Sequence, residues 1–164
     1  MTTILVAFDD KRGIGFQGKI PWKISEDLKL FKSRTMGNAV IMGRRTWESL
    51  PAKKLPGRTC IVLSHGFVDM PSGFDLKDTT ICVTCDLYDA LCLAKIHAPQ
   101  KEVFIIGGQQ VYATALSDNV IDRILVSKIP GEHEADTFFP ELGPEWQETF
   151  VERHTAFDVV EFRR

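Results

Sequence analysis

Apolar residues in this chain come in short bursts divided by glycine, proline and charge. The first covers residues 3–8 and stops at Asp9 and Asp10. Further bursts follow at residues 39–42, 59–63, 80–83, 103–106 and 123–129. Nearly continuous apolar runs of this length predict strands covered on both faces. Between them lie segments with helical signals. Ser25 is placed to cap a helix running to about Arg34, and residues 44–50 read as a short helix. Asp86 is placed to cap a third helix, on which Leu87, Ala90, Leu91 and Ala94 share a face. A fourth follows Gly107-Gly108 and runs through Leu116. Residues 148–154 and 156–162 predict a closing antiparallel pair. Strands that alternate with helices predict an α/β fold with a mostly parallel sheet.

The breakers carry information as well. Residues 9–21 hold Gly13, Gly15, Gly18 and Pro21. A glycine-rich loop this long inside a compact unit points to function or to disorder. Pro51 and Pro56-Gly57 interrupt the chain, and residues 65–78 read as another loop.

Composition narrows the classes. The 164 residues are 44% hydrophobic and 26% charged, with net charge −2. That predicts one soluble domain over residues 1–164, with a core that needs neither disulfides nor metal. The basic residues are dispersed, so neither nucleic acid nor a membrane is an expected partner. The first apolar run is too short for a signal peptide or a membrane span, which makes a cytoplasmic protein the expectation. A monomer is the default for such a domain. Cys60, Cys82, Cys85 and Cys92 all lie in or beside apolar segments and are expected to be reduced. Cys82 and Cys85 have redox-pair spacing. However, Cys82 falls within a strand pattern, and no second pair or nearby histidine completes a zinc site. His65, His97, His133 and His154 show no ligand spacing, so no metal is expected.

Three features can carry chemistry. On the first helix Ile24, Leu28 and Phe31 form an apolar stripe, with Asp27 at its edge. A carboxylate half-buried there has a raised pKa and suits proton chemistry. A first-turn aspartate favoured by the helix dipole is the alternative. The second feature is Gly107-Gly108 between a strand and a helix. Glycines there admit a ligand to the backbone, and the helix start offers N–H groups to an anion; a tight turn explains them equally well. The spacing is not the dinucleotide-binding fingerprint. The third is Gly43-Arg44-Arg45-Thr46, where two arginines at a helix start oppose the dipole unless they hold an anion; two solvated arginines are the alternative. Arg58 and Lys32 are candidates for substrate carboxylates. Trp22, Phe31 and Leu50 are candidates for an apolar slot around a flat ring, or for the core.

These segments together resemble the dihydrofolate reductase family over nearly the whole chain. The matching motifs are Gly13-Ile14-Gly15, Ile20-Pro21-Trp22, Asp27-Leu28 with Phe31-Lys32, and Val40-Ile41-Met42-Gly43-Arg44. Then come Thr46-Trp47-Glu48-Ser49-Leu50, Leu55-Pro56-Gly57-Arg58, Ile106-Gly107-Gly108 with Val111-Tyr112, and Asp136-Thr137 with Phe139-Pro140. The resemblance implies an eight-stranded, mostly parallel sheet with an antiparallel C-terminal strand and flanking helices. It also implies reduction of dihydrofolate by NADPH.

The resemblance implies residue roles too. Asp27 would hold the pterin ring, with Ser127 near it and Trp22 beside the reacting centre. Leu5, Ala7 and Ile106 would contribute backbone groups to pterin and nicotinamide. Leu28, Phe31 and Leu50 would pack on the substrate, with Arg58 and Lys32 toward its glutamate tail. Ile14 and Ile20 in the glycine-rich loop would meet the cofactor. Gly43, Arg44, Arg45, Thr46, Leu63, Ser64 and His65 would hold its adenosine phosphate end. Gly107, Gly108, Gln109, Gln110, Val111 and Tyr112 would bind its pyrophosphate. Gln109 stands where the family commonly has a small residue, and Ile20 replaces a Met or Leu. Rival readings are a reductase of another pterin or pyrimidine, a ligand-binding protein without turnover, and a thiol-disulfide protein.

Overall fold

The computed structural model describes residues 1–75 and 80–164. Part of the loop expected at residues 65–78 therefore lies outside the described residues. The chain runs β1 (Thr2–Phe8), β2 (Gly13–Gly15), α1 (Ser25–Thr35), β3 (Ala39–Gly43), α2 (Arg44–Ser49), β4 (Thr59–Leu63) and β5 (Ile81–Thr84). It continues with α3 (Leu87–His97), β6 (Val103–Ile105), α4 (Gln109–Ser117), β7 (Arg123–Lys128), β8 (Thr137–Phe138), β9 (Gln147–Arg153) and β10 (Asp158–Arg163).

Eight strands form one sheet in the order β5-β4-β3-β6-β1-β7-β10-β9. The pairs from β5 through β7 are parallel, and β10 runs antiparallel to both β7 and β9. Five of the six bursts became inner strands, β1, β3, β4, β6 and β7, as runs covered on both faces do, whereas the burst at residues 80–83 became the edge strand β5. Val40, Ile41, Met42, Ile61 and Val62 are fully buried. Ile4, Ile41 and Ile61 of the sheet join Ala90 and Ala94 of α3 and Tyr112 and Ala115 of α4 in the largest apolar cluster. A second cluster on Val40, Met42, Trp47 and Phe104 takes partly buried Leu5, Leu50 and Ile106 against it. A third, on Ile129, Phe157 and Val159, takes Ala7, Trp22, Ile24 and Leu30.

Three expectations at the level of elements need correction. Ser25 does not cap α1. The N-cap is Ile24, in extended conformation and without a side-chain hydrogen bond, so Ser25 is already inside the first turn. Asp86 does cap α3, accepting from the Asp89 N–H at 3.0 Å. The glycine-rich loop is also less irregular than its composition suggests. Gly13–Gly15 pairs antiparallel with Thr137–Phe138, forming a two-stranded flap outside the main sheet. A Cβ at Gly15 would stand 2.5 Å from Thr137 Oγ1, so any side chain there would force Thr137 to move. The apolar stripe on α1 also splits. Ile24 and Leu30 pack inward, whereas Leu28 is 59% exposed.

Candidate active site

The C-terminal ends of parallel strands are where an open α/β sheet leaves room for ligands. Here the chain leaves β1 toward β3 on one side of the sheet and leaves β6 toward β7 on the other. The two crossovers therefore run in opposite directions across the β1–β6 seam, and the expected site residues gather around it. Leu5 and Ala7 are on β1, Ile106 directly follows β6, and Ser127 is on β7, paired in register with Ala7.

Helix α1 crosses this end of the sheet and brings Asp27 to Ser127. The Ser127 hydroxyl donates to Asp27 Oδ1 at 2.7 Å. Burial pushes the Asp27 carboxyl above its usual range. The Ser127 hydrogen bond and the charges of His154 and Arg34 oppose the shift without cancelling it. His154 reaches α1 through Glu26, its Nδ1 standing 2.8 Å from Glu26 Oε1. That contact raises the His154 pKa, against burial and with help from Glu152.

The far end of α1 holds a second charge. Thr35 is buried, donates to the Phe31 carbonyl at 2.8 Å and accepts from an Arg58 guanidinium nitrogen at 3.1 Å. Arg58 also donates from Nε to the Pro56 carbonyl at 3.1 Å. It borders a cleft of about 440 Å³ lined by Gly37, Leu55, Gly57 and Thr80. Eight residues of helix separate Asp27 from Thr35, roughly 12 Å at 1.5 Å per residue. The helix thus carries Asp27 about two turns away from the residue that holds Arg58. Lys32 on the same helix is exposed and Phe31 half-buried.

A backbone cradle lies where β3 and β6 end. The Gly43 N–H donates to the Gly107 carbonyl at 2.8 Å. A Cβ on Gly43 would meet Val111 Cγ2 at 3.2 Å. Gly107 has φ +126°, a conformation that favours glycine. A Cβ there would stand 3.4 Å from both Thr46 Oγ1 and Tyr112 Oη. Helix α4 begins here with Gly108 as N-cap and no side-chain cap, leaving its first-turn N–H groups to an anionic ligand. Tyr112, buried, donates to the Leu5 carbonyl at 3.1 Å, which ties α4 to β1. That carbonyl keeps a second lone pair.

Gln109 and Gln110 are exposed in the first turn of α4, and the Gln109 Oε1 accepts from the Phe138 N–H at 2.9 Å. Gln109 thus tethers the flap to the cradle instead of presenting its carbonyl to a ligand. Arg44 pairs with Glu48 at 2.8 Å and approaches Gly66. Ser64, after Leu63 at the end of β4, bonds within the same turn, its hydroxyl 3.1 Å from the Gly66 carbonyl. Arg45 and His65 are exposed beside them. Ile14 lies on β2. Ile20, 57% exposed, and Trp22, half-buried, follow the flap.

Sequence reasoning missed Asp9. Its carboxylate is 3% exposed. It accepts from the N–H groups of His133 at 2.7 Å, Gly13 at 2.9 Å and Lys11 at 3.0 Å. Burial works against its charge, but these three donors outweigh it and hold the carboxyl below its usual range. A charge directly abutting a buried strand was the available signal. The Cys82 thiol, by contrast, is pushed up by burial, away from the reactive thiolate.

A sequence model described as dihydrofolate reductase matches residues 1–162. A dihydrofolate reductase of Staphylococcus haemolyticus is 36% identical over 152 residues, covering 92% of this chain and 84% of that protein. One of Neisseria gonorrhoeae is 36% identical over 147 residues, covering 89% and 83%. Bifunctional dihydrofolate reductase-thymidylate synthase 2 of Arabidopsis thaliana is 38% identical over 151 residues, covering 84% of this chain. The chain spans only 26% of that bifunctional protein, and 31% of the corresponding one from Daucus carota.

Proposed function

The chain belongs to the dihydrofolate reductase family, and from that premise we propose that it is an oxidoreductase reducing 7,8-dihydrofolate to 5,6,7,8-tetrahydrofolate with NADPH, in support of one-carbon metabolism. The observation that carries this reading is the half-buried Asp27, held by Ser127 at 2.7 Å and facing the same strand ends as the Gly43–Gly107 cradle.

A nicotinamide cofactor suits the residues present. The close-packed glycines admit a ligand to the backbone, and the open first turn of α4 suits a pyrophosphate. Arg44, Arg45, Ser64 and His65 would face the extra phosphate that distinguishes NADPH, because arginine's planar fork matches phosphate oxygens. Once bound, the cofactor supplies a hydride to C6 of the pterin.

The chain's own residues do the rest. Asp27 accepts hydrogen bonds from the pterin amino group and the adjacent ring nitrogen, which orients the ring. Its negative charge favours the ring protonated at N5, and a water delivers that proton. Leu28 packs on the ring, and its exposure fits a side chain whose apolar partner is a ligand and not the core. Phe31 and Leu50 flank the substrate, Leu5, Ala7 and Ile106 present backbone groups, and Arg58, with Lys32 beside it, takes a carboxylate of the glutamate tail. The flap with Ile14, Ile20 and Trp22 closes over the site and excludes water. The reading takes residues 1–164 as one unit, acting as a monomer in the cytoplasm. No helix among the described residues is long and apolar enough to cross a membrane.

The test mixes protein, NADPH and dihydrofolate and follows NADPH absorbance, with NADH in place of NADPH as a comparison. Loss that needs both ligands and prefers NADPH supports the reading. Binding of both without turnover replaces it with a binding protein, and failure to bind dihydrofolate removes the substrate assignment.

A further inference from the structure

We propose that His133, carried by Asp9, is a positioning residue that fixes the indole of Trp22 at the edge of the site; this rests on the function proposed above. The His133 ring meets the Trp22 ring edge-on, with centroids 5.1 Å apart and planes at 66°. Aromatic rings prefer this geometry because the positive edge of one faces the negative face of the other. Trp22 otherwise leans on the cluster of Ile129, Phe157 and Val159, which also supports Ala7 in the site. His133 adds an edge-on ring contact to those the indole makes with this cluster.

The platform under His133 is rigid. Its own N–H donates to the buried Asp9 carboxylate at 2.7 Å, and its ring Nδ1 stands 3.4 Å from Asp9 Oδ2. The same carboxylate holds the N–H groups of Lys11 and Gly13. The Asp10 N–H donates to the Gly131 carbonyl at 3.0 Å, and the Gly131 N–H donates back to Asp10 Oδ2 at 3.0 Å. Lys11 pairs with Glu132 at 3.0 Å. The loop that bears His133 is thus fastened to the end of β1, the central strand that carries Leu5 and Ala7. Position passes from β1 through Asp9 to His133 and on to Trp22. His133 itself touches no reacting atom; it acts through the indole.

The experiment follows the ¹⁵N–¹H indole resonance of Trp22, assigned by its loss in Trp22→Phe, alongside kcat/KM for dihydrofolate. His133→Ala is expected to shift or broaden that resonance. It should also lower kcat/KM about three- to tenfold, the range an aromatic edge contact supports. His133→Phe, which keeps the ring edge, should restore both. In a Trp22→Ala background His133→Ala should cost little more, because the two act as one unit. An unmoved indole resonance in His133→Ala overturns the proposal. So does a rate loss that persists in full without Trp22. If the unaltered protein turns over no dihydrofolate, the functional reading fails, and the indole resonance alone still decides the role of His133.

Discussion

Replacing Asp27 by asparagine separates its charge from its shape. Asparagine keeps an acceptor for the Ser127 hydroxyl, now 2.7 Å from Oδ1. It loses the second carboxylate oxygen, and its amide N–H₂ would face a donor on the pterin. Hydrogen bonds to a charged group are worth about 1.5–3 kcal/mol, and neutral ones about 0.5–1.5 kcal/mol. One pterin bond is therefore weakened by about 1 kcal/mol and the other lost outright. The sum of about 2.5–4 kcal/mol corresponds to a fall of about 10²- to 10³-fold in kcat/KM at pH 7. The deficit should narrow at lower pH, where solvent supplies the proton that the carboxylate otherwise favours. Stability should move the other way. The folded pKa of Asp27 is raised, so ionisation is penalised in the folded state. The unaltered protein loses stability from this group as pH climbs from about 3.9 through that raised pKa. The Asp27→Asn variant carries no such penalty, and its Tm at pH 7 should not fall. Steady-state turnover and a thermal melt on the same sample give both numbers. A kcat/KM loss under about tenfold refutes the pterin contact, and a lowered Tm refutes the account of burial.

Asp9→Asn should destabilise by about 2–4 kcal/mol, because an amide cannot accept from all three backbone donors without turning its own N–H₂ toward one; an unchanged urea midpoint contradicts this. The Asp9 contribution is present above about pH 3.9 and is lost as pH falls through its depressed folded pKa. His154 has the opposite sign. Its raised folded pKa means that its contacts with Glu26 and Glu152 stabilise fully below about pH 6.5 and fade as pH rises through the folded value. The Tm advantage of the unaltered protein over His154→Gln should therefore shrink in mildly alkaline buffer, and growth would contradict the assignment. Gly43→Ala puts a Cβ 3.2 Å from Val111 Cγ2, and should weaken NADPH binding about tenfold with dihydrofolate affinity intact. Fluorescence titration of each ligand separates the two, and equal loss of both would show a general collapse of the fold.

The inner strands were legible because their signal is dense. The burst at residues 59–63 coincides with β4, and those of β1 and β3 fall within a residue of their ends. The pairing of β2 with β8 was not legible. It joins Gly13–Gly15 to residues more than a hundred positions away, and three glycine-rich residues carry no periodicity. At the site, Asp27 could be singled out because it lies at the edge of an apolar stripe. Periodicity also assigned Leu28 to that stripe, yet it is exposed, since spacing cannot tell a core from a cleft. Ser127 drew notice only through family resemblance, because a lone serine in a strand has no signature. Asp9 and His133 were passed over for a related reason. The contact between them joins residues more than a hundred positions apart, which a linear pattern does not encode.

The strand at the middle of the sheet precedes both of its neighbours in the chain. Thr2–Phe8 has no neighbour until Val103–Ile105 and Arg123–Lys128 exist, about a hundred residues later. At about 5–20 residues per second, a ribosome would leave it unpaired for roughly 5–20 seconds. It is an apolar strand with both edges bare, the kind of segment that joins strands of other chains. Closing a loop of that length also slows the search for the native pairing. Asp9 and Asp10 stand directly behind this strand and supply charge during that wait. The same two residues that fasten the loops thus stand where charges flanking an apolar strand oppose pairing with other chains.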